Sequence, residues 1–221
     1  MEIARITLLT VTLAATATAL MLPLGLLLAW ILARGRFRGR VLLETFVSLP
    51  LVMPPVATGL LLLMVLAPRG VLGDTLATLG IEIVFTWKAV VIAMAVMGLP
   101  LLVRTARAGF EQVDARYEKV ASTLGASPAR VFLTITMPLS LPAISAAAVL
   151  CFARAIGEFG ATMMIAGSIP GSTRTLAVAI YSFAETGRDL EAGQLVLVSA
   201  VIAFCALALS NWIAARAGVR A

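Results

Sequence analysis

Five long apolar stretches, at residues 6–33, 43–66, 84–103, 139–166 and 193–214, alternate with short polar segments along a chain of 221 residues. A helix needs about 20 mostly apolar residues to cross a hydrocarbon layer of about 30 Å, and each stretch supplies them. The pattern predicts an all-α, polytopic membrane protein: five transmembrane helices in a single transmembrane domain over residues 1–221. The small residues Ala17–Ala19 resemble a signal-peptide cleavage site. The apolar run continues to Ala33, past the length of a signal core, so this stretch is read as a retained span.

Residues 104–138 break the rhythm: they form the longest polar segment, too interrupted by charge, Gly125 and Pro128 to cross a bilayer. Asp114 can cap a helix on which Tyr117, Val120, Ala121 and Leu124 recur at i, i+3, i+4 and i+7, one helical face. Gly125 stops that helix, because a glycine just past a helix end takes the left-handed conformation without a Cβ clash. Ser127 and Pro128 restart a second helix as cap and first residue, with Val131, Phe132 and Ile135 apolar, before Pro138 leads into the fourth span. The expected shape is helix, glycine turn, helix, lying under the membrane. A basic amphipathic segment can rest on lipid headgroups. Here Glu111, Asp114 and Glu118 among the basic residues would be repelled by anionic lipid, which favours a docking face for a soluble partner.

The net charge of +6 follows the same alternation. Arg34, Arg36, Arg38 and Arg40 fill the first polar segment, Arg104, Arg107, Arg116, Lys119 and Arg130 the third, and Arg216 and Arg220 the tail; the alternate segments hold Arg5, Arg69, Arg174 and Arg188. The positive-inside rule then places the N-terminus outside and the C-terminus in the cytoplasm. The chain has no histidine, which excludes a Ser-His protease, an H-E-x-x-H zinc protease and a histidine proton relay. Asp74, Asp114 and Asp189 fall in predicted loops, against a membrane aspartyl dyad, and Cys151 and Cys205 lie in apolar stretches as packing residues, with no disulfide and no metal site inferred. No G-x-x-x-x-G-K-[ST] occurs, nor any Gly-Lys pair, so the chain has no P-loop to cradle a nucleotide.

Within the spans, "SLPLVMPPVATG" at residues 48–59 carries Pro50, Pro54 and Pro55, which remove the helical donors to the carbonyls of Phe46, Pro50 and Leu51. Broken backbone at membrane depth survives only where protein or a water-filled cavity satisfies it. A packing kink and a lining of a translocation path are both open here, and Ser48 and Thr58 favour the path. "ARAIGEFGATMMIAG" at residues 153–167 sets Arg154 and Glu158 at i and i+4, expected on one helical face, with Gly157 and Gly160 interrupting the span. Counting about 1.5 Å per residue from Leu139 puts Arg154 about 22 Å in, past the midplane. Mutual pairing is the plain reading; a polar gate or anion pathway is the other. "IPGSTRTLAVAIYS" at residues 169–182 reads as an outer turn with Arg174 as an exposed cation.

Residues 118–138 resemble the coupling loop of permease subunits of ABC importers, whose form is E-A-A, three residues, Gly, nine residues, I-x-L-P. Gly125, Ile135, Met137 and Pro138 fit that spacing and Ala121 fits the second alanine, whereas Lys119 and Val120 depart from it and Glu118 stands one position early. The resemblance implies that Tyr117, Glu118, Lys119, Val120, Ala121, Leu124, Gly125, Ala126, Ser127 and Pro128 couple the chain to an ATPase. "SLPLVMPP", "GEFGAT" and "IPGSTRTL" together resemble molybdate importer permeases over essentially the whole chain, with Ala177 where that family carries proline.

That resemblance implies a type I ABC importer permease fold in a prokaryotic cytoplasmic (inner) membrane. It implies a homodimer around a central pathway, two copies of a cytoplasmic ABC ATPase, and a periplasmic or extracellular molybdate-binding protein docking near Arg174. ATP and Mg would be used by the ATPase, with no cofactor held by this chain, no enzyme activity of its own and no nucleic acid partner. Pro50, Pro54, Pro55, Thr58, Arg154 and Glu158 are the pathway or gate candidates. The nearest competing reading keeps the fold and changes the oxyanion to sulfate, thiosulfate or tungstate. A proton-coupled secondary transporter is disfavoured because no internal repeat is visible.

Overall fold

The computed structural model describes residues 2–35 and 37–216, apart from the side chains of Ala214 and Arg216. Arg36, Arg220 and the side chain of Arg216, which the charge pattern uses, therefore lie outside the described residues. The described residues contain helices and no strand. Helix α1 (Glu2–Arg34) is followed by α2 (Arg40–Val52), α3 (Pro55–Leu66), the short α4 (Gly73–Thr78) and α5 (Trp87–Gln112). Then come α6 (Ala115–Thr123), α7 (Pro128–Val131), a π-helical stretch (Phe132–Thr136), α8 (Met137–Ile156), α9 (Gly160–Ala166), α10 (Leu176–Glu185) and α11 (Asp189–Arg216).

Helix α5 is the axis of the molecule. Its small residues Ala89, Ala93, Ala95 and Ala106 are buried, and this lets α1 and α8 approach it closely. The same logic shapes α1, where Thr7, Thr10, Thr12, Thr16 and Thr18 each donate a hydroxyl to the carbonyl four residues back. Each polar group is thus satisfied within its own helix, as an apolar surrounding requires. Among the described residues, four helices are long and apolar enough to cross a membrane: α1, α5, the continuous rod Pro128–Ile156 and α11 from Asp189.

The pair α2 and α3 makes the fifth crossing, although it bends by 111°. Arg107 reaches Glu44 at 2.7 Å and Arg40 reaches Glu111 at 3.5 Å, so α2 starts beside the end of α5. Further on, the Phe85 amide donates to the Ile165 carbonyl at 3.1 Å, one residue before the Thr86 cap that opens α5. The bent pair therefore carries the chain from one end of the bundle to the other. At that second end Arg188 meets Glu2 at 3.1 Å and the Leu176 amide donates to Thr10 Oγ1 at 2.8 Å, and α11 runs back from there along α8.

Several boundaries differ from the sequence expectation. The third span continues to Gln112, so residues 104–112 belong to α5 and not to a loop. The second short helix does not lie under the membrane by itself: α7, the π stretch and α8 form one rod from Pro128 to Ile156, and Pro138, just after the π stretch, lies inside that rod without ending it. Span two is no gently kinked helix. Met53 and Pro54 are extended, at ψ 144° and 130°, while Pro55 opens α3 and Pro50 remains inside α2.

Candidate functional site

Two regions hold the residues that the sequence singles out, one at each end of the bundle. At the first, Asp114 accepts from the Arg116 amide at 2.8 Å and starts α6. Gly125 ends it at φ +85°, a conformation that a Cβ opposes. The Ala126 amide reaches the Ala121 carbonyl at 3.0 Å and the Gly125 amide reaches Ser122 at 3.1 Å, the paired bonds of a Schellman turn. Ser127 then caps the rod by accepting from the Arg130 amide at 3.4 Å, with Pro128 at its first position. The helix, glycine turn and restart expected from the sequence are all present.

The apolar face of α6 has no cover. Tyr117, Val120 and Leu124 are exposed, Leu124 at 83%. With Ala121, Ile135, Pro138 and Leu139 they line an open groove of about 760 Å³ between α6 and the start of the rod. Lys119 is exposed beside it, and Ala126 is half-buried in the turn. An amphipathic partner helix or a complementary cleft fits such a surface.

The acidic residues behave differently from the expectation that they mark a docking face. Glu111 pairs with Arg107 at 2.7 Å, Asp114 caps α6, and Glu118 pairs with Arg34 at 2.8 Å. Each has a partner within the chain, while Arg116 and Lys119 are exposed on α6 alongside the apolar Tyr117 and Val120. Arg34 and Thr136 both bond to Glu118; the sequence marks Arg34 only as part of a charged segment and does not single out Thr136. The spacing of Arg34 from Glu118, 84 residues, gives no local signal of contact.

At the opposite end, two broken helices cross. A Cβ on Gly160 would stand 2.8 Å from Pro55 Cβ, and one on Gly59 would stand 2.7 Å from Ala161 Cα, so α3 and α9 meet backbone to backbone. The Pro54–Pro55 break thus lies against the Gly157–Phe159 break. Thr58 on α3 and Thr162 on α9 are buried, and their hydroxyls have no hydrogen-bond partner among the described residues.

Arg154 and Glu158 do pair, at 2.8 Å, but they do not share one helix. Arg154 occupies the last turn of α8, which ends at Ile156; Glu158 lies in the break, and its Oε1 accepts from the Ala161 amide at 2.9 Å. Each charge therefore sits at the helix end whose dipole favours it, the cation at a C-terminus and the anion at an N-terminus. Glu158 is 1% exposed and the Arg154 side chain 28%, so the arginine is the more open member of the pair.

The turn that follows α9 packs beside this crossing. Thr173 Oγ1 accepts from the Ile169 amide at 2.9 Å, closing the loop. Arg174 is half-buried and not the exposed cation expected: its Nε donates to Ser168 Oγ at 3.0 Å. It borders a cavity of about 710 Å³ together with Arg5 and Glu2.

The sequence matches the family model described as "Binding-protein-dependent transport system inner membrane component" over residues 21–218. It is 46% identical over 195 residues to the molybdenum transport system permease protein ModB of Escherichia coli strain K12, covering 87% of this chain and 85% of that one. It is 39% identical over 157 residues to the sulfate transport system permease protein CysT of the same organism, covering 71% of this chain and 57% of that one. In structure it resembles a chain of a bacterial alginate ABC transporter solved in complex with an alginate pentasaccharide-bound periplasmic protein, with TM-score 0.73 at 19% identity, over 98% of this chain and 79% of that one. The groove, the broken spans and the likeness along the whole chain have one reading: the chain belongs to the family of inner-membrane components of binding-protein-dependent ABC importers, with the all-α fold of their permeases.

Proposed function

We propose that this chain is the membrane-spanning permease of an ATP-driven importer that moves molybdate into the cytoplasm. Two copies would enclose a central pathway, two ATPase subunits would dock on the α6 grooves, and an external binding protein would deliver the anion near the Arg174 turn. The arginine-rich end, with Arg34, Arg40, Arg107 and Arg130, then faces the cytoplasm, which puts the N-terminus outside. The observation that carries the substrate is the 46% identity, over 87% of the chain, to a permease named for molybdenum.

The geometry supplies a means. Nucleotide-driven approach of the two ATPases would move α6, and with it the rod that begins at Pro128 and ends at the α8–α9 break. The α3–α9 crossing, where both helices are already broken, is the place able to change packing without tearing a regular helix. Alternating access needs two discrete packings biased by nucleotide. Arg154 there offers guanidinium donors to a passing dianion while Glu158 keeps it neutralised in the anion's absence. The unpartnered hydroxyls of Thr58 and Thr162 on the crossing helices support the same use.

The likeness to a sulfate permease keeps one second reading, the same machine for sulfate. Competition decides between them. Uptake of molybdate by the complex reconstituted with its ATPase and binding protein should resist a hundredfold excess of sulfate. Uptake abolished by sulfate, or sulfate carried faster than molybdate, would assign the chain to the sulfate branch.

A further inference from the structure

We infer that Glu118, Arg34 and Thr136 form an internal clamp that transmits displacement of α6 into two membrane-crossing helices, and that Glu118 is a positioning residue and not a docking contact. The inference deepens the proposed function and rests on it for the direction of the stroke. It starts from a deficiency of α6: no residue of that helix is buried, so apolar packing does not fix it to the bundle. A lever that is to move other helices has to be attached to them.

Polar bonds make the attachment. One carboxylate oxygen, Glu118 Oε1, accepts from Arg34 Nη2 at 2.8 Å and from Thr136 Oγ1 at 2.8 Å. The same Arg34 nitrogen also donates to the Val113 carbonyl at 3.1 Å, at the junction of α5 and α6. Arg34 is the last residue of α1, and Thr136 is the last residue of the π stretch that leads into α8. Three segments distant in sequence are therefore tied at one oxygen atom.

The clamp has a solid backing. Thr136 is 2% exposed and Val113 7%, and the Phe132 ring in the π stretch packs edge-on against Trp30 of α1 at 5.5 Å and at a tilt against Phe110 of α5 at 6.1 Å. The Arg34 and Glu118 side chains keep only 25% and 23% exposure. The pair is sheltered enough to resist screening by salt more than a surface pair does. A π turn, in which one residue is added to the local helical repeat, marks a place where a helix is strained and often functional. Here Thr136 closes that stretch and bonds to Glu118 of α6.

The test uses the full complex in vesicles and reads coupling, not abundance alone. Thr136→Val removes one bond from a buried site at constant volume, Arg34→Met removes the other, and Glu118→Gln weakens both. In all three, ATP hydrolysed per molybdate imported should rise at least fivefold, while the affinity of Thr136→Val for the ATPase subunit stays within twofold of the parent. Exchanging the pair, as Arg34→Glu with Glu118→Arg, should recover part of the coupling. Amide hydrogen exchange over residues 115–124 should quicken at least tenfold in Thr136→Val, a readout that needs neither molybdate nor ATP. An unchanged coupling ratio in the three variants, or unchanged exchange, overturns the clamp. So does a loss of ATPase affinity confined to Glu118→Gln, which would make Glu118 a docking contact. If the parent protein imports no molybdate, the proposed function fails, and the exchange measurement still decides the clamp.

Discussion

Gly125 and the Arg154–Glu158 pair carry the sharpest predictions at the scale of single residues. At φ +85°, Gly125→Val places a β-branched side chain in the left-handed region, a cost above the roughly 1–2 kcal/mol of an ordinary residue there. Nothing lies within 4 Å of its Cβ position, so the penalty is in the backbone and not in a clash. The variant should reach the membrane in normal amount, bind its ATPase at least tenfold more weakly and transport correspondingly less, as a pull-down with uptake would show. The pair at the far end predicts an asymmetry. Arg154→Met strands a carboxylate that is 1% exposed, which typically costs about 3 to 5 kcal/mol. Glu158→Gln still accepts from the Ala161 amide through its amide oxygen and leaves an arginine that is 28% exposed, so it should cost less. Membrane abundance should therefore fall further for Arg154→Met than for Glu158→Gln, and the double variant should recover it. Equal losses would mean that the two charges are alike in burial. From sequence the spacing of these residues was readable; that one lies in a helix and the other in a break was not, because Gly157 and Gly160 permit an interruption without fixing its position.

Elements were legible where periodicity and end signals agreed. Asp114, Gly125, Ser127 and Pro128 each do what their residue type suggests, and α6 runs between them as expected. The extents of the long helices were less legible, since charges at residues 104–112 and the proline at 138 read as interruptions. In the structure Arg107 is balanced by Glu44 and Glu111, so a charged helix end is tolerated, and Pro138 lies inside a continuous rod directly after a π stretch. The 111° bend needed more than three prolines to foresee: α3 runs on from it in close approach to α9, with Gly59 and Gly160 lying where any side chain would collide. Gly59→Leu tests that dependence. Its Cβ would press on Ala161 Cα at 2.7 Å and Ala161 O at 2.8 Å, so α3 and α9 must separate. A cysteine crosslink between the two helices should fall at least fivefold in yield, and transport should fail before ATPase binding does. Unchanged crosslinking would show that the crossing is not held by close backbone approach.

For the whole molecule, five traversals leave the described chain starting at one end of the bundle and finishing at the other, and the charge asymmetry is what the proposed orientation rests on. In a background of Cys151→Ala and Cys205→Ala, Ser172→Cys should react with a membrane-impermeant thiol reagent applied outside, and Ser127→Cys should not. The reverse pattern would invert the molecule and put α6 out of reach of a cytoplasmic ATPase. The central claim joins both ends: force enters at the α6 groove and opens a route for molybdate at the broken crossing. The initial rate of molybdate uptake into vesicles holding the permease, its ATPase and the binding protein tests it most directly, measured with and without ATP for the parent and for Leu124→Asp, which puts a charge in the groove. The account predicts uptake that requires ATP in the parent and drops at least tenfold in Leu124→Asp. Uptake driven by an ion gradient without ATP, or a Leu124→Asp rate equal to the parent's, would contradict it.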